Sequence, residues 1–138
     1  MTVPGYPNYF MTVGPNSAPN HAGGQNITSE TQIHYIMECL EALTQSGRQA
    51  LEPTEEAAAT YNERIDDMMR TLIWSHPKAS SYYKNSAGRV FLSCPYRLVE
   101  YWQMTRQPDL ADYRFCDTSQ KDGAVNHAGL AAQGGPPL

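Results

Sequence analysis

His21 is the side chain best placed for acid–base chemistry. It sits in the run Gly14-Pro-Asn-Ser-Ala-Pro-Asn-His-Ala-Gly-Gly-Gln-Asn26, where a titratable imidazole is a candidate general acid or base. No neighbour in sequence would orient it, and a solvated loop histidine is the alternative. His34 falls just off the apolar stripe of a helix and reads as a partly buried structural residue, while His76 precedes Pro77 in a connector. No Cys, His or carboxylate recurs at ligand spacing around any of these, so no metal site is expected. Glu55, Glu56, Asp66 and Asp67 read as solvated helix positions. Ser80 and Ser81 lack the G-x-S-x-G turn that exposes a nucleophile. The aromatic series Tyr82, Tyr83, Phe91, Tyr96, Tyr101 and Trp102 is more distinctive. So many rings in a short span form either core or the wall of a pocket for a small apolar or aromatic substrate, and both readings stay open. There is no G-x-G-x-x-G after a strand, so the residues by themselves disfavour a self-sufficient nucleotide-cofactor enzyme.

The elements that must position these groups follow from periodicity and punctuation. Asn8-Tyr-Phe-Met-Thr-Val-Gly-Pro-Asn16 is β-branched and aromatic, and Gly14-Pro15 closes it, which predicts a buried strand ending in a turn. A Gly/Asn-rich loop leads to a helix from about Ser29 to Ser46, with Ser29-x-x-Gln32 as a capping box and Gly47 as its stop. Ile33, Ile36, Met37, Leu40 and Leu43 make its apolar stripe. Thr54 caps a second helix with Glu55 and Glu56 in its first turn, and the short link suggests an antiparallel helix pair. Ser81-Tyr-Tyr-Lys84, a turn at Asn85–Gly88 and Arg89-Val-Phe-Leu-Ser93 predict a β-hairpin. A short helix follows from Pro95 to Met104, and Asp109 to Phe115 is the last ordered segment. The expected class is α+β, with one domain over residues 1–116 and a flexible tail over 117–138, where Gly, Ala, Gln and Pro outnumber large apolar groups.

Charge and cysteine usage exclude several functions. A net charge of −4 offers no basic footprint for nucleic acid. Cys39, Cys94 and Cys116 are widely spaced and fit neither a disulfide framework nor a zinc site, so they are expected to be reduced thiols in a cytoplasmic chain. No apolar run is long enough for a membrane helix, and no signal peptide is recognisable.

Five motifs occur in order between about Gly5 and Phe115: GYPNYFMTVGPNS, SETQIHYI, YNERIDD, YYKNSAGRV and PYRLVEYWQMTRQPDLADYRF. In these the sequence resembles the C-terminal third of class B flavoprotein monooxygenases of the Baeyer–Villiger type, nearest the 4-hydroxyacetophenone monooxygenase group. The resemblance implies a fragment of a two-dinucleotide-domain flavoprotein fold that uses FAD and NADP, in which the cofactors carry the hard chemistry. It gives Gly14, Pro15 and Asn16 a cofactor-facing role, and Tyr83 and Trp102 a place on the substrate side. The family's dinucleotide fingerprints and its G-x-x-x-H…W-P signature are not among these residues. The expectation is therefore a truncated flavin-dependent monooxygenase, linked to oxidative tailoring of a secondary metabolite and not competent for flavin redox alone. It would act with a flavin-domain protein or by self-association. Two alternatives stand beside it: a cofactor-free cyclase, isomerase or dehydratase that uses His21, and a non-catalytic accessory subunit or relic.

Overall fold

Two long helices are delimited by the punctuation in the sequence. The computed structural model describes residues 1–19 and 24–117, and opens with irregular turns that lead into β1 (Ala18–Pro19). Helix α1 (Gly24–Ser46) stops at Gly47, whose φ of +68° is a left-handed geometry that glycine adopts without a Cβ clash. After β2 (Ala50–Pro53), Thr54 accepts the Ala57 N–H at 3.1 Å and caps α2 (Glu55–Met69), with Glu55 and Glu56 against the positive end of the dipole. A short 3-10 turn, β3 (Ser93–Cys94), α3 (Leu98–Met104), a second 3-10 turn and β4 (Tyr113–Cys116) complete the described order. Glu100 reaches back to the Arg97 N–H at 3.0 Å and closes the first turn of α3.

The class is α+β as expected, but its composition differs. Asn8–Asn16 is not a strand: Asn8, Val13 and Asn16 take φ of 58°, 53° and 50°, which breaks the extended path. Its donors are satisfied singly, Asn8 N–H by Leu51 O at 2.9 Å, Met11 N–H by Met1 O at 2.9 Å and Val13 N–H by Gln32 Oε1 at 2.7 Å. The β propensity of this run thus yields turns tied to three different parts of the chain. Pairing occurs instead at β1 with β3, parallel, and at β2 with β4, antiparallel from Ala50↔Cys116 to Pro53↔Tyr113. The expected hairpin is present as a chain reversal, with Asn85 N–H on Arg89 O and Phe91 N–H on Tyr83 O, both at 3.0 Å, and one bridge at Lys84↔Val90. It does not extend into a ladder.

The expected antiparallel helix pair is not how the helices pack. The link between them is strand β2, and α1 lies chiefly against β1, β2 and α3. Two cores result. Ile65 and Met69 of α2 pack with Val90, Cys94, Tyr96 and Tyr101, whereas Cys39 of α1 packs with Leu51 and Tyr113, flanked by Phe10, Tyr35, Leu43 and Phe115.

Helix α1 also begins five residues earlier than expected, so Ser29 lies inside it and Gln32 is not a capping-box partner. Its buried residues are Thr28, Thr31, Gln32 and Cys39; of the expected core stripe Ile36 and Leu43 are half-buried, while Ile33, Met37 and Leu40 are turned outward, exposed by 53%, 57% and 38%. Asp117, at the start of the expected tail, pairs with Arg48 at 2.8 Å. The remainder of that segment, 118–138, lies outside the described residues.

Candidate functional site

The Gly14–Ser17 turn is held by two amide side chains acting from opposite sides. Asn16, 2% exposed, donates through Nδ2 to Val90 O at 3.1 Å and Ser93 O at 2.7 Å, while its N–H bonds Phe91 O at 2.8 Å. Its Oδ1 accepts from Arg89 Nη1 at 3.0 Å, and the same guanidinium reaches Asn62 Oδ1 at 3.1 Å and Asp66 at 2.9 Å. The Tyr61 hydroxyl donates to Asn16 O at 2.8 Å, and burial raises the Tyr61 pKa. From the other side Gln32, fully buried, accepts from Val13 N–H and donates to Ser17 O at 2.5 Å and to the Tyr101 hydroxyl at 2.8 Å. A fully paired buried network of this kind fixes one backbone geometry. Gly14 is buried in it, and a Cβ there would stand 2.5 Å from Met11 Sδ. Pro15 is the exposed residue of the turn.

Of the residues expected at a site, Gly14, Pro15 and Asn16 therefore share one turn, with the Asn16 side chain engaged by the protein itself. Trp102 and Tyr83 lie apart from each other. Trp102 lines a cleft of ≈ 170 Å³ between α1 and α3, with Ile27, Glu30, Thr31, His34, Thr105 and Arg106. The Arg106 guanidinium sits 4.6 Å from the Trp102 ring centroid, and His34 Nε2 contacts Arg106 O at 3.0 Å. Such a platform offers a cationic face beside an aromatic one. Tyr83 instead meets Trp74 edge-on, with ring centroids 4.8 Å apart, and lies 4.3 Å from the tilted Tyr82 ring, at the edge of the α2 core. The aromatic series is divided accordingly: Tyr96 and Tyr101 are core, Trp102 lines the cleft and Tyr82 is exposed. His21 lies outside the described residues. Among the described residues no group of three His, Cys, Asp or Glu is arranged for a metal ion.

Burial holds the Cys39 and Cys94 thiols up at about 11 and the Tyr101 and Tyr113 hydroxyls up at about 12, so all four stay protonated at neutral pH. All three cysteines are free thiols. No helix among the described residues is long and apolar enough to cross a membrane.

The cleft beside Trp102 does not hold a whole flavin adenine dinucleotide. The cleft is smaller than the roughly 300–1,000 Å³ of ordinary ligand pockets, and the polar side chains of the turn are spent on one another. What the turn can offer is a rigid edge, through Pro15 and backbone.

Sequence reasoning missed Gln32, Tyr61, Asn62, Asp66 and Arg89 as the residues that set this turn. The signal was present, because each lies in one of the five motifs: Gln32 in SETQ, Tyr61, Asn62 and Asp66 in YNERIDD, and Arg89 in AGRV. Their convergence on GPNS is a tertiary fact.

Comparison with curated proteins gives a consistent set of relatives. The chain is 35% identical over 132 residues to an uncharacterized monooxygenase of Sinorhizobium fredii, covering 96% of this chain and 20% of that protein. It is 30% identical over 114 residues to a Baeyer–Villiger monooxygenase of Streptomyces coelicolor, covering 82% and 22%. An FAD-binding monooxygenase of Aspergillus niger is 26% identical over 117 residues, covering 82% and 19%. The chain thus spans about a fifth of the length of these relatives. No family model and no solved structure matches it.

Proposed function

We propose that this chain is the C-terminal portion of a class B, Baeyer–Villiger-type flavin monooxygenase, nearest the 4-hydroxyacetophenone group. In this reading it serves in oxidative tailoring of a secondary metabolite in the cytoplasm, and it is not competent for flavin redox alone. The observation that carries the reading is the match of 96% of the chain to one fifth of a monooxygenase, with the same proportion repeated in relatives named for Baeyer–Villiger or FAD-binding activity. FAD and NADP, bound elsewhere in the assembly, supply oxygen activation and hydride. This chain's part is to present the edge at Gly14, Pro15 and Asn16 to the flavin, held by Gln32 and Arg89, and to place Trp102 and Tyr83 toward a small apolar or aromatic substrate. Rigid support of this kind is what a site needs when its chemistry resides in a cofactor.

The experiment is flavin retention. The purified chain, alone and mixed with a polypeptide carrying the relatives' flavin-binding part, is desalted after incubation with FAD. A yellow flavin complex is expected to be retained by the mixture and by neither polypeptide alone. Colourless fractions in both arms would sink the reading. A second reading, a non-catalytic accessory chain, is favoured by the exposed apolar side of α1.

A further inference from the structure

We infer that the cleft between α1 and α3 is a binding site for a small aromatic carboxylate, with Trp102 and Ile27 against its ring and the Arg106 guanidinium on its acid group. That such a ligand is also a substrate rests on the proposed function. Its binding to the cleft does not.

Most of the polar groups in the lining are already committed. Thr31 and Thr105, its buried residues, spend their hydroxyl protons on Ile27 O and Tyr101 O, each at 2.7 Å, and so have none to offer a ligand. His34 Nε2 lies 3.0 Å from Arg106 O, and a ring nitrogen bonds a carbonyl only as a donor. That N–H ties α1 to the residue just past the C-cap of α3. The Arg106 guanidinium is what remains to donate, 4.6 Å from the Trp102 ring centroid. Arg48, Arg70, Arg89 and Arg114 each meet a carboxylate, whereas Arg106 makes no ion pair among the described residues. Glu30 lines the same cleft and does not pair with it.

The ligand class follows from these groups. A guanidinium carries its N–H donors in a planar fork that matches a carboxylate, and an unpaired one beside an open cleft attracts an anion. A cationic ligand is disfavoured, because the indole already holds one cation and a second would stand beside it. Ile27 and Trp102 are both exposed and supply apolar contact for a ring. Size sets the upper limit. The cleft measures ≈ 170 Å³, and an apolar cavity of about 150 Å³ takes one benzene. One ring with one acid group fits; a nucleotide does not. Glu30 opposes the same anion, so its charge lowers the affinity and its removal raises it. A ligand of this size in an open cleft binds with a dissociation constant on the order of millimolar.

Nitrogen–proton correlation spectra of the labelled chain, recorded at constant ionic strength during titration with benzoate, test this directly. Benzyl alcohol, benzylamine and acetate serve as comparison probes. The Trp102 indole resonance is expected to move saturably with benzoate, while that of Trp74, packed against Tyr83 outside the cleft, stays in place. Arg106→Gln should weaken benzoate binding by about tenfold and Glu30→Gln should strengthen it by about threefold. Arg70→Gln, a control at an arginine paired with Asp67 on α2, should leave it unchanged. Helical circular dichroism checks that each variant is folded, and the four probes on the unmodified chain decide the matter without any variant. A Trp102 resonance that does not saturate with benzoate overturns the inference. So does benzyl alcohol or acetate binding as tightly as benzoate, since the acid group or the ring is then irrelevant. Tighter binding of benzylamine, or full affinity in a folded Arg106→Gln, overturns it as well. Benzoate binding without flavin retention in the mixture of polypeptides leaves the cleft standing and removes the functional reading; flavin retention without benzoate binding does the reverse.

Discussion

At the scale of residues, Asn16 concentrates the largest number of constraints. Its φ of 50° is a left-handed conformation that asparagine tolerates and alanine does not, and its side chain satisfies two buried carbonyls and one arginine. Asn16→Ala is expected to destabilise the chain by about 2–4 kcal/mol, combining orphaned buried acceptors with backbone strain. Asn16→Gly removes the same bonds without the strain, so its urea midpoint should lie above that of the alanine variant, by about 1 kcal/mol in free energy. Equal midpoints for the two would show that the left-handed backbone carries no cost. The turn was legible through Gly-Pro-Asn, but the partners that hold it were not. The resemblance gives Asn16 a cofactor-facing role by position, and the structure adds the partners of its side chain, Val90, Ser93 and Arg89, more than seventy residues away in sequence. Long-range partners of this kind leave no local periodic signal.

At the scale of elements, termini read well and faces read poorly. Thr54 was recognised as a helix cap because the chemistry that satisfies the first N–H groups of α2 is local. Thr54→Ala is expected to cost about 1 kcal/mol of stability, with Thr54→Ser close to the parent, measured by urea denaturation followed through helical circular dichroism. A null effect of the alanine change would mean that the Ala57 N–H finds another acceptor. Gly47 was legible for the same reason. The burial of α1 was not, since the pattern rule assumes that the most apolar face is the covered one. Here Gln32, by closing on Val13, Ser17 and Tyr101, draws its own face inward and rotates Ile33 and Met37 out. Strand β2 was missed because Ala-Leu-Glu-Pro is short and lacks alternation. It forms because β4 pairs with all four of its residues and because buried Glu52 meets Arg114 and the Gly5 N–H.

At the scale of the whole molecule, the two cores bury ionisable hydroxyls and thiols in place of purely aliphatic side chains, and this fixes the pH response. Burial raises Cys39 and Cys94 from 9.0 to about 11 and Tyr101 and Tyr113 from 10.0 to about 12. Well below pH 9 these four groups are protonated in folded and unfolded chains alike, and their contribution to stability is whole. Between pH 9 and 11 the unfolded thiols ionise first, and between 10 and 12 the unfolded tyrosines do, so stability is lost as pH rises. The loss should reach about 2–3 kcal/mol per thiol. The urea midpoint is expected to fall as pH rises above about 9; a midpoint at pH 11 equal to that at pH 9 would contradict the burial assigned to both cysteines.

What the sequence determined by itself is what local chemistry governs. It placed the two long helices, the end of α1 at Gly47 and the Thr54 cap, the reversal at Asn85–Gly88, and a resemblance to monooxygenases that relatives so named support. Tertiary structure decided which face of α1 is covered, that Asn8–Asn16 is a clamped turn in place of a strand, that β2 finds β4, and that Trp102 and Tyr83 stand in different places. The physical reason is common to all of these. Caps and turns are settled by groups a few residues apart, whereas burial and pairing depend on which distant segments supply hydrogen-bond partners and apolar cover, and only the folded chain brings those together.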